Sequence, residues 1–208
     1  MKPTEIKTKV SEYYTEKLNQ WGPVPQGVDW NSRESHEIRF EQLLKVCDFS
    51  KPFSINDLGC GYGALYGYMA DMDYDFDYHG YDLSVAMIEK AQSLYKERKN
   101  CRFVQSDVLE EADYSIASGL FNVKMDVDDK DWKKYTLGVL DKINQASRKG
   151  FSFNALTLYS DKEHMKDNLY YSDPYFYFDY CKTNFSKHVA LLHDYPLYEF
   201  SILVRKDI

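Results

Sequence analysis

No stretch of this 208-residue chain is apolar for long enough to cross a bilayer: each run meets a charge or a glycine within about ten residues, against the roughly 20 required. A membrane span is therefore not expected, and the first ten residues (MKPTEIKTKV) lack the apolar stretch of a signal peptide, which points to the cytoplasm. Cysteine is scarce. Cys47, Cys60, Cys101 and Cys181 lie far apart with no C-x-x-C pair, so neither a zinc site nor a disulfide framework is expected, and four reduced thiols are. Basic clusters are missing too: 26 Lys+Arg face 33 Asp+Glu, the net charge is −7, and the densest basic stretch is Lys96-Glu97-Arg98-Lys99. That balance weighs against a nucleic-acid partner, because duplex binders displace phosphate counterions with clustered Lys and Arg.

What the chain does have is enough apolar mass for a full core, with 44% hydrophobic and 28% charged residues. Aromatics make up 16%, and 19 of them are Tyr, a side chain that packs as core while offering a hydroxyl. Ile6, Val10, Tyr13, Tyr14 and Leu18 fall on one helical face that stops at Trp21-Gly22-Pro23, and a second helix is expected from Arg33 to Phe49. Short apolar runs then alternate with amphipathic stretches. Strands are expected at Ile55 to Leu58, Tyr78 to Asp82, Arg102 to Gln105, Ser115 to Leu120 and Phe151 to Leu158, and helices at Ala64 to Met72, Ser84 to Arg98 and Asp128 to Ser147. This alternation predicts an α/β fold, a doubly wound, mostly parallel sheet with helices on both faces. The helix from Asp128 carries Trp132, Tyr135, Val139, Leu140 and Ile143 on one stripe, with Arg148-Lys149-Gly150 read as its end. Val189 to Leu192 and Glu199 to Val204 are joined by a link too short for a crossover helix, which predicts a C-terminal antiparallel hairpin. With no repeat or linker, residues 1–208 read as one domain: a helical cap (1–50), a core (51–160) and an insert with the hairpin (161–208).

The chemistry concentrates at Asp57-Leu58-Gly59-Cys60-Gly61-Tyr62-Gly63, where the first strand gives way to a helix. Three alternating glycines permit a tight turn and close approach of backbone to a ligand. The next strand ends on Asp82, 19 residues beyond Gly63, where nucleotide-binding α/β folds place an acid for ribose hydroxyls, and the strand after it ends on Ser106-Asp107. Gly59, Gly61 and Ala64 also satisfy a nicotinamide-dinucleotide fingerprint, so an NAD-dependent oxidoreductase is a competing reading. Asp57 argues against it: a carboxylate at the turn repels a pyrophosphate but suits a cationic or hydroxyl-bearing group.

On these residues the chain resembles the class I S-adenosylmethionine-dependent methyltransferases. DLGCGYG resembles that family's first motif, Tyr81-Asp82-Leu83-Ser84 its ribose-binding acidic motif and Ser106-Asp107 its adenine-binding motif. The resemblance implies a Rossmann-like seven-stranded sheet and S-adenosylmethionine as cofactor, with S-adenosylhomocysteine as product. It implies cofactor contacts from Asp57, Gly59, Cys60, Gly61, Gly63, Asp82, Leu83, Ser106, Asp107 and Val108. It further implies that the end of the fourth strand, with Ser118 and Phe121, lies by the sulfonium methyl.

The acceptor is read from weaker signals. The Asn/Asp-Pro-Pro-aromatic sequence of nucleic-acid amino-methylating members is replaced here by Ser118-Gly119-Leu120-Phe121, which favours a small-molecule acceptor, with protein or RNA methylation and a noncatalytic cofactor-binding module as alternatives. Tyr13, Tyr14, Asn122, Tyr170, Tyr171 and His193 are the candidate substrate-lining residues. Trp30, Arg33 and Arg39 are candidates to reach the cofactor's carboxylate, although a surface role suits each Arg better. Phe176, Phe178 and Tyr180 are expected to pack a helix of the aromatic-rich insert onto the sheet. No catalytic base is legible, and methyl transfer by in-line attack needs none.

Overall fold

The computed structural model describes residues 1–28, 30, 32–72 and 74–206. Two helices come first, α1 (Pro3–Trp21) and α2 (Arg33–Leu44), with a short 3-10 turn (Pro25–Val28) between them. The alternating region follows: β1 (Phe53–Leu58), α3 (Ala64–Ala70), β2 (Phe76–Asp82), α4 (Val85–Leu94), β3 (Cys101–Gln105), β4 (Ala112–Ala117), α5 (Asp129–Ala146) and β5 (Ser147–Leu156). Then come α6 (Pro174–Asn184), β6 (His188–Leu192) and β7 (Glu199–Arg205).

The seven strands form one sheet in the order β3-β2-β1-β4-β5-β7-β6. The first five are mutually parallel, and β7 runs antiparallel to both β5 and β6. The mostly parallel, doubly wound sheet with a C-terminal antiparallel hairpin is thus present. Strand order reverses between β1 and β4, and in open α/β sheets such a switch point leaves a crevice at the carboxyl ends of the strands.

Two apolar layers sandwich the sheet. One holds Leu43, Ile55, Tyr66, Met69 and Tyr78 under α2, α3 and α4. The other holds Leu140, Ile143, Phe151, Phe153, Tyr177 and Phe200 under α5 and α6. The α5 stripe is as the periodicity predicts, with Trp132, Leu140 and Ile143 fully buried.

Several local boundaries differ: β4 spans Ala112–Ala117 where Ser115 to Leu120 is expected, and α4 ends at Leu94 where Arg98 is expected. The second helix stops at Leu44 instead of Phe49, because Val46 must turn inward, where it is buried; the Val46 and Cys47 amides close short turns on the Leu43 and Leu44 carbonyls. Arg148-Lys149-Gly150 do not end the helix but lie within β5, where Gly150 pairs with Arg205 of β7; a Cβ at Gly150 would stand 2.5 Å from the Val204 carbonyl oxygen. In α6 Phe176 and Phe178 pack on the layer beneath it as expected, partly covered, with Tyr180 stacked on Phe176, while the residues buried outright are Pro174, Tyr177 and Cys181.

Candidate active site

The carboxyl ends of β1, β2, β3 and β4 converge on a cleft roofed by α1, α2 and α5. Asp57, Gly59, Cys60, Gly61, Asp82, Leu83, Ser106, Asp107 and Ser118 all line it, as the motif reading expects. The turn after β1 is held against β2 by the Gly59 and Cys60 amides, which donate to the Tyr81 carbonyl at 2.8 and 3.0 Å. Gly59, Gly61 and Gly63 have φ of 80, 54 and 84°, values that side-chain-bearing residues rarely adopt.

Each acid is held differently. Asp57 is buried at 3% exposure, and its Oδ2 accepts from the Tyr78 hydroxyl at 2.5 Å. Its Oδ1 faces no partner among the described residues. Burial pushes its pKa up to about 7 against an ordinary 3.8, the Tyr78 hydrogen bond opposing and Asp82 adding to the rise. Asp82 ties the turn together: Oδ2 accepts the Gly61 amide at 2.9 Å and Oδ1 the Ser84 amide at 2.8 Å. Burial raises its pKa, and those amides restrain the rise. Asp107 is gripped by two ammoniums, Lys7 of α1 at 2.6 Å and Lys142 of α5 at 2.8 Å. Burial alone would raise its pKa, but the lysines hold it below the usual carboxylate range. Ser118 Oγ is buried without a partner among the described residues.

Four residues that motif spacing did not single out also shape this cleft: His36, Phe40, Tyr62 and Leu120. His36 is 7% exposed and its ring packs on Phe40 at 4.4 Å; burial, and then the neighbouring Arg39, push its pKa down to about 3, so the imidazole is neutral. Burial of a histidine one turn before an arginine carries no sequence signal.

Three motif residues are corrected. Gly63 caps α3 outside the cleft, where its Cα faces Tyr95 and Phe103. Val108 points to solvent at 71% exposure, because the Ser106 hydroxyl takes its amide in a tight turn. Phe121 turns into the core at 1% exposure against Phe153.

A second cleft of about 450 Å³ adjoins the first, and Tyr14, Val28, Trp30 and Gly119 line both. The wall between them is braced by a hydrogen-bonded chain. The Gly119 amide donates to Asn154 Oδ1 at 2.7 Å, the Asn154 amide group donates to Glu199, and Glu199 pairs with Arg39 at 2.7 Å. Arg39 in turn lies 3.7 Å over the Trp30 ring, which covers Gly119.

Of the substrate-side candidates, Tyr14, Asn122 and Tyr171 line this second cleft. Tyr13 lines neither cleft and packs edge-on against Tyr14 at 5.2 Å. Tyr170 packs instead against the cluster of Ile6, Val127 and Trp132. His193 is exposed on the hairpin beside Tyr159, away from both clefts. Arg33 is exposed and paired with Glu37. Arg39 is not at the surface: it is consumed by Glu199, so neither arginine is left for a cofactor carboxylate. Asn154 and Glu199 were invisible in the sequence, because their partners lie 35 and 160 residues away.

A glycine turn with a buried, half-satisfied carboxylate at the switch point of this sheet defines a class I S-adenosylmethionine-dependent methyltransferase. The comparisons with known proteins agree, and the chain belongs to that family. Residues 55–137 match the family described as "Methyltransferase domain". Over 164 residues, 78% of this chain and 99% of the relative, it is 51% identical to a Mycobacterium tuberculosis protein named "Putative methyltransferase Rv1506c". Among solved structures it is similar to the magnesium protoporphyrin IX methyltransferase of Synechocystis PCC 6803 with bound S-adenosylhomocysteine. The TM-score is 0.70 at 16% identity, covering 96% of this chain and 99% of that one. It is also similar in fold to a phosphoethanolamine N-methyltransferase of Haemonchus contortus, at TM-score 0.70 and 10% identity, covering 99% of this chain and 50% of that one. The cofactor is therefore S-adenosylmethionine, and the nicotinamide reading of the glycine fingerprint falls. No helix among the described residues is long and apolar enough to cross a membrane.

Proposed function

We propose that the protein transfers the methyl group of S-adenosylmethionine to a small-molecule acceptor held in the second cleft. The observation that carries this reading is that the two clefts adjoin and share Tyr14, Val28, Trp30 and Gly119 as lining, with the second cleft of small-molecule size. The small-molecule acceptors named for the Synechocystis and Haemonchus enzymes support it.

The residues present fit the cofactor. Asp57 Oδ1, buried and lacking a partner among the described residues, would accept from its ammonium. Asp82 would accept from ribose hydroxyls, and Ser106 and Asp107 would border the adenine. When bound, S-adenosylmethionine supplies an electrophilic methyl on a sulfonium. The chain's part is positioning: Ser118 and Gly119 shape the floor at the end of β4, and Trp30 and Tyr14 line both clefts. Fixing two reactants in line contributes roughly 7 to 11 kcal/mol, so no side chain is assigned as a base. In this reading residues 1–208 act as one unit, since the clefts draw on α1 and α2, on the core and on the insert. A cytoplasmic setting belongs to the same reading, supported by the free Cys47, Cys60, Cys101 and Cys181.

The test is to incubate the protein with methyl-labelled S-adenosylmethionine and a whole-cell extract. Label is expected in the small-molecule fraction; label that resides in macromolecules and is removed by protease or ribonuclease would replace the small-molecule acceptor with a protein or RNA.

A further inference from the structure

We infer that the second cleft takes a largely apolar molecule bearing an oxyanion, a carboxylate or a phosphate, seated toward Lys166 and Asn122. The inference deepens the reading of this cleft as the acceptor site and rests on it. Trp30, Val123, Leu156 and Leu169 supply apolar wall, and the volume of about 450 Å³ is in the range of small-molecule sites.

The class of polar group follows from which hydrogen-bonding valences the protein leaves open. The one carboxylate in the wall, Glu199, is already spent: Oε1 accepts from Arg39 at 2.7 and 3.0 Å, and Oε2 accepts from Arg39 at 2.9 Å and from Asn154. That pairing also neutralises the arginine. What remains open are donors. Asn122 Oδ1 accepts the Leu156 amide at 3.0 Å, which fixes the orientation of the side-chain amide, and its Nδ2 is buried with no partner among the described residues. The Tyr171 hydroxyl accepts the Lys166 backbone amide at 2.9 Å and keeps its own proton to donate. The Lys166 ammonium has no ion pair among the described residues. Three acids of the neighbouring segment, Asp161, Glu163 and Asp167, do not line the cleft; Asp161 is engaged by the Tyr198 hydroxyl, and Glu163 lies 3.9 Å from His164.

An amine-bearing ligand would set cation against Lys166. A ligand without acceptors would leave the Asn122 donor desolvated and unpaired. An oxyanion satisfies the ammonium and the neutral donors together. Of the charged residues that line the cleft, Arg39 and Glu199 pair with each other, which leaves the Lys166 cation in excess in a chain of net charge −7.

The experiment is a calorimetric titration of the full chain saturated with S-adenosylhomocysteine, using four probes that share one ring system: 2-naphthoate, 2-naphthyl phosphate, 2-naphthamide and 2-naphthylmethylamine. At least one anion is expected to bind about tenfold or more tightly than the neutral amide, as a charged hydrogen bond implies, with the amine weakest; the better anion identifies carboxylate or phosphate. Lys166→Met, at an exposed position, should remove that preference while leaving the amide's affinity unchanged. Equal affinity for anion and amide, a preference for the amine, or an anion preference that survives Lys166→Met overturns the oxyanion inference but leaves the acceptor-site reading standing. Binding of S-adenosylhomocysteine with none of the four probes overturns both.

Discussion

In the proposed ammonium subsite, Asp57 would couple cofactor binding to pH. Its carboxyl has a pKa of about 7 in the fold against an ordinary 3.8. The native state therefore holds a proton that the unfolded chain gives up, so this group's contribution to stability is fully present below 3.8 and is lost as pH rises through about 7. A cationic ammonium at Oδ1 prefers the carboxylate, so binding of S-adenosylhomocysteine should release a proton near neutrality and strengthen as pH rises through the same window. Calorimetry in two buffers of different ionisation heat would show the release in the native protein and its loss in Asp57→Asn; no release in the native protein would remove Asp57 from the ammonium subsite. At the other end of the cleft, Gly119 has φ 70°, and a Cβ there would lie 2.2 Å from Trp30 Cζ2. Gly119→Ala should cost about 1 to 2 kcal/mol in backbone conformation alone and displace Trp30. Its kcat should fall more than its affinity for the cofactor, a split that steady-state kinetics and titration together resolve.

Among the elements, α1 helps to roof the first cleft, together with α2 and α5. It is tied down along its length: Lys7 to Asp107, the Ser11 hydroxyl donating to the Leu83 carbonyl at 3.1 Å, and Thr15 beside the Ser84 hydroxyl at 2.7 Å. Ile6 anchors it at 1% exposure against Val127 and Trp132. Because α1 packs chiefly on the 3-10 turn and on α4, outside the two layers that cover the sheet, weakening its anchor should undock the helix rather than unfold the core. Ile6→Ala, a truncation that costs about 2 to 5 kcal/mol in buried sites, should speed hydrogen exchange in α1 and dissociation of S-adenosylhomocysteine, with protection in β1 and β4 unchanged. Equal loss of protection throughout the sheet would show that α1 belongs to the core's cooperative unit.

At the scale of the whole molecule, the Arg39–Glu199 pair joins the helical N-terminal region to the last strand across 160 residues. Both partners are buried, Arg39 at 7% and Glu199 at 1%. Removing one leaves an uncompensated buried charge, so Glu199→Ala and Arg39→Met should each destabilise by about 3 to 5 kcal/mol, and the double variant by less than the sum. Urea unfolding of the three variants measures this, and strict additivity would mean that the pair is not coupled. The same pair braces the wall between the clefts, so acceptor turnover should fall in the singles even where they fold.

The order of strands and helices, the glycine turn and the acids at the strand ends were all legible in the chain. Periodicity is a local property, and a positive-φ turn at a strand-to-helix junction needs glycine wherever it occurs. Side-chain direction was less legible. Val108 and Phe121 sit in the right segments yet face solvent and core, because one backbone rotation past a strand end decides which way a residue points. The sequence alone therefore determined the fold class and the position of Asp57, Asp82 and Asp107 at one sheet edge. Only the tertiary structure decided that Arg39 serves Glu199, that His36 is a buried neutral wall, and that Asn122 and Lys166 face an open cleft. Those facts depend on contacts between residues far apart in the chain, where burial and pairing arise only once the sheet has brought its edges together.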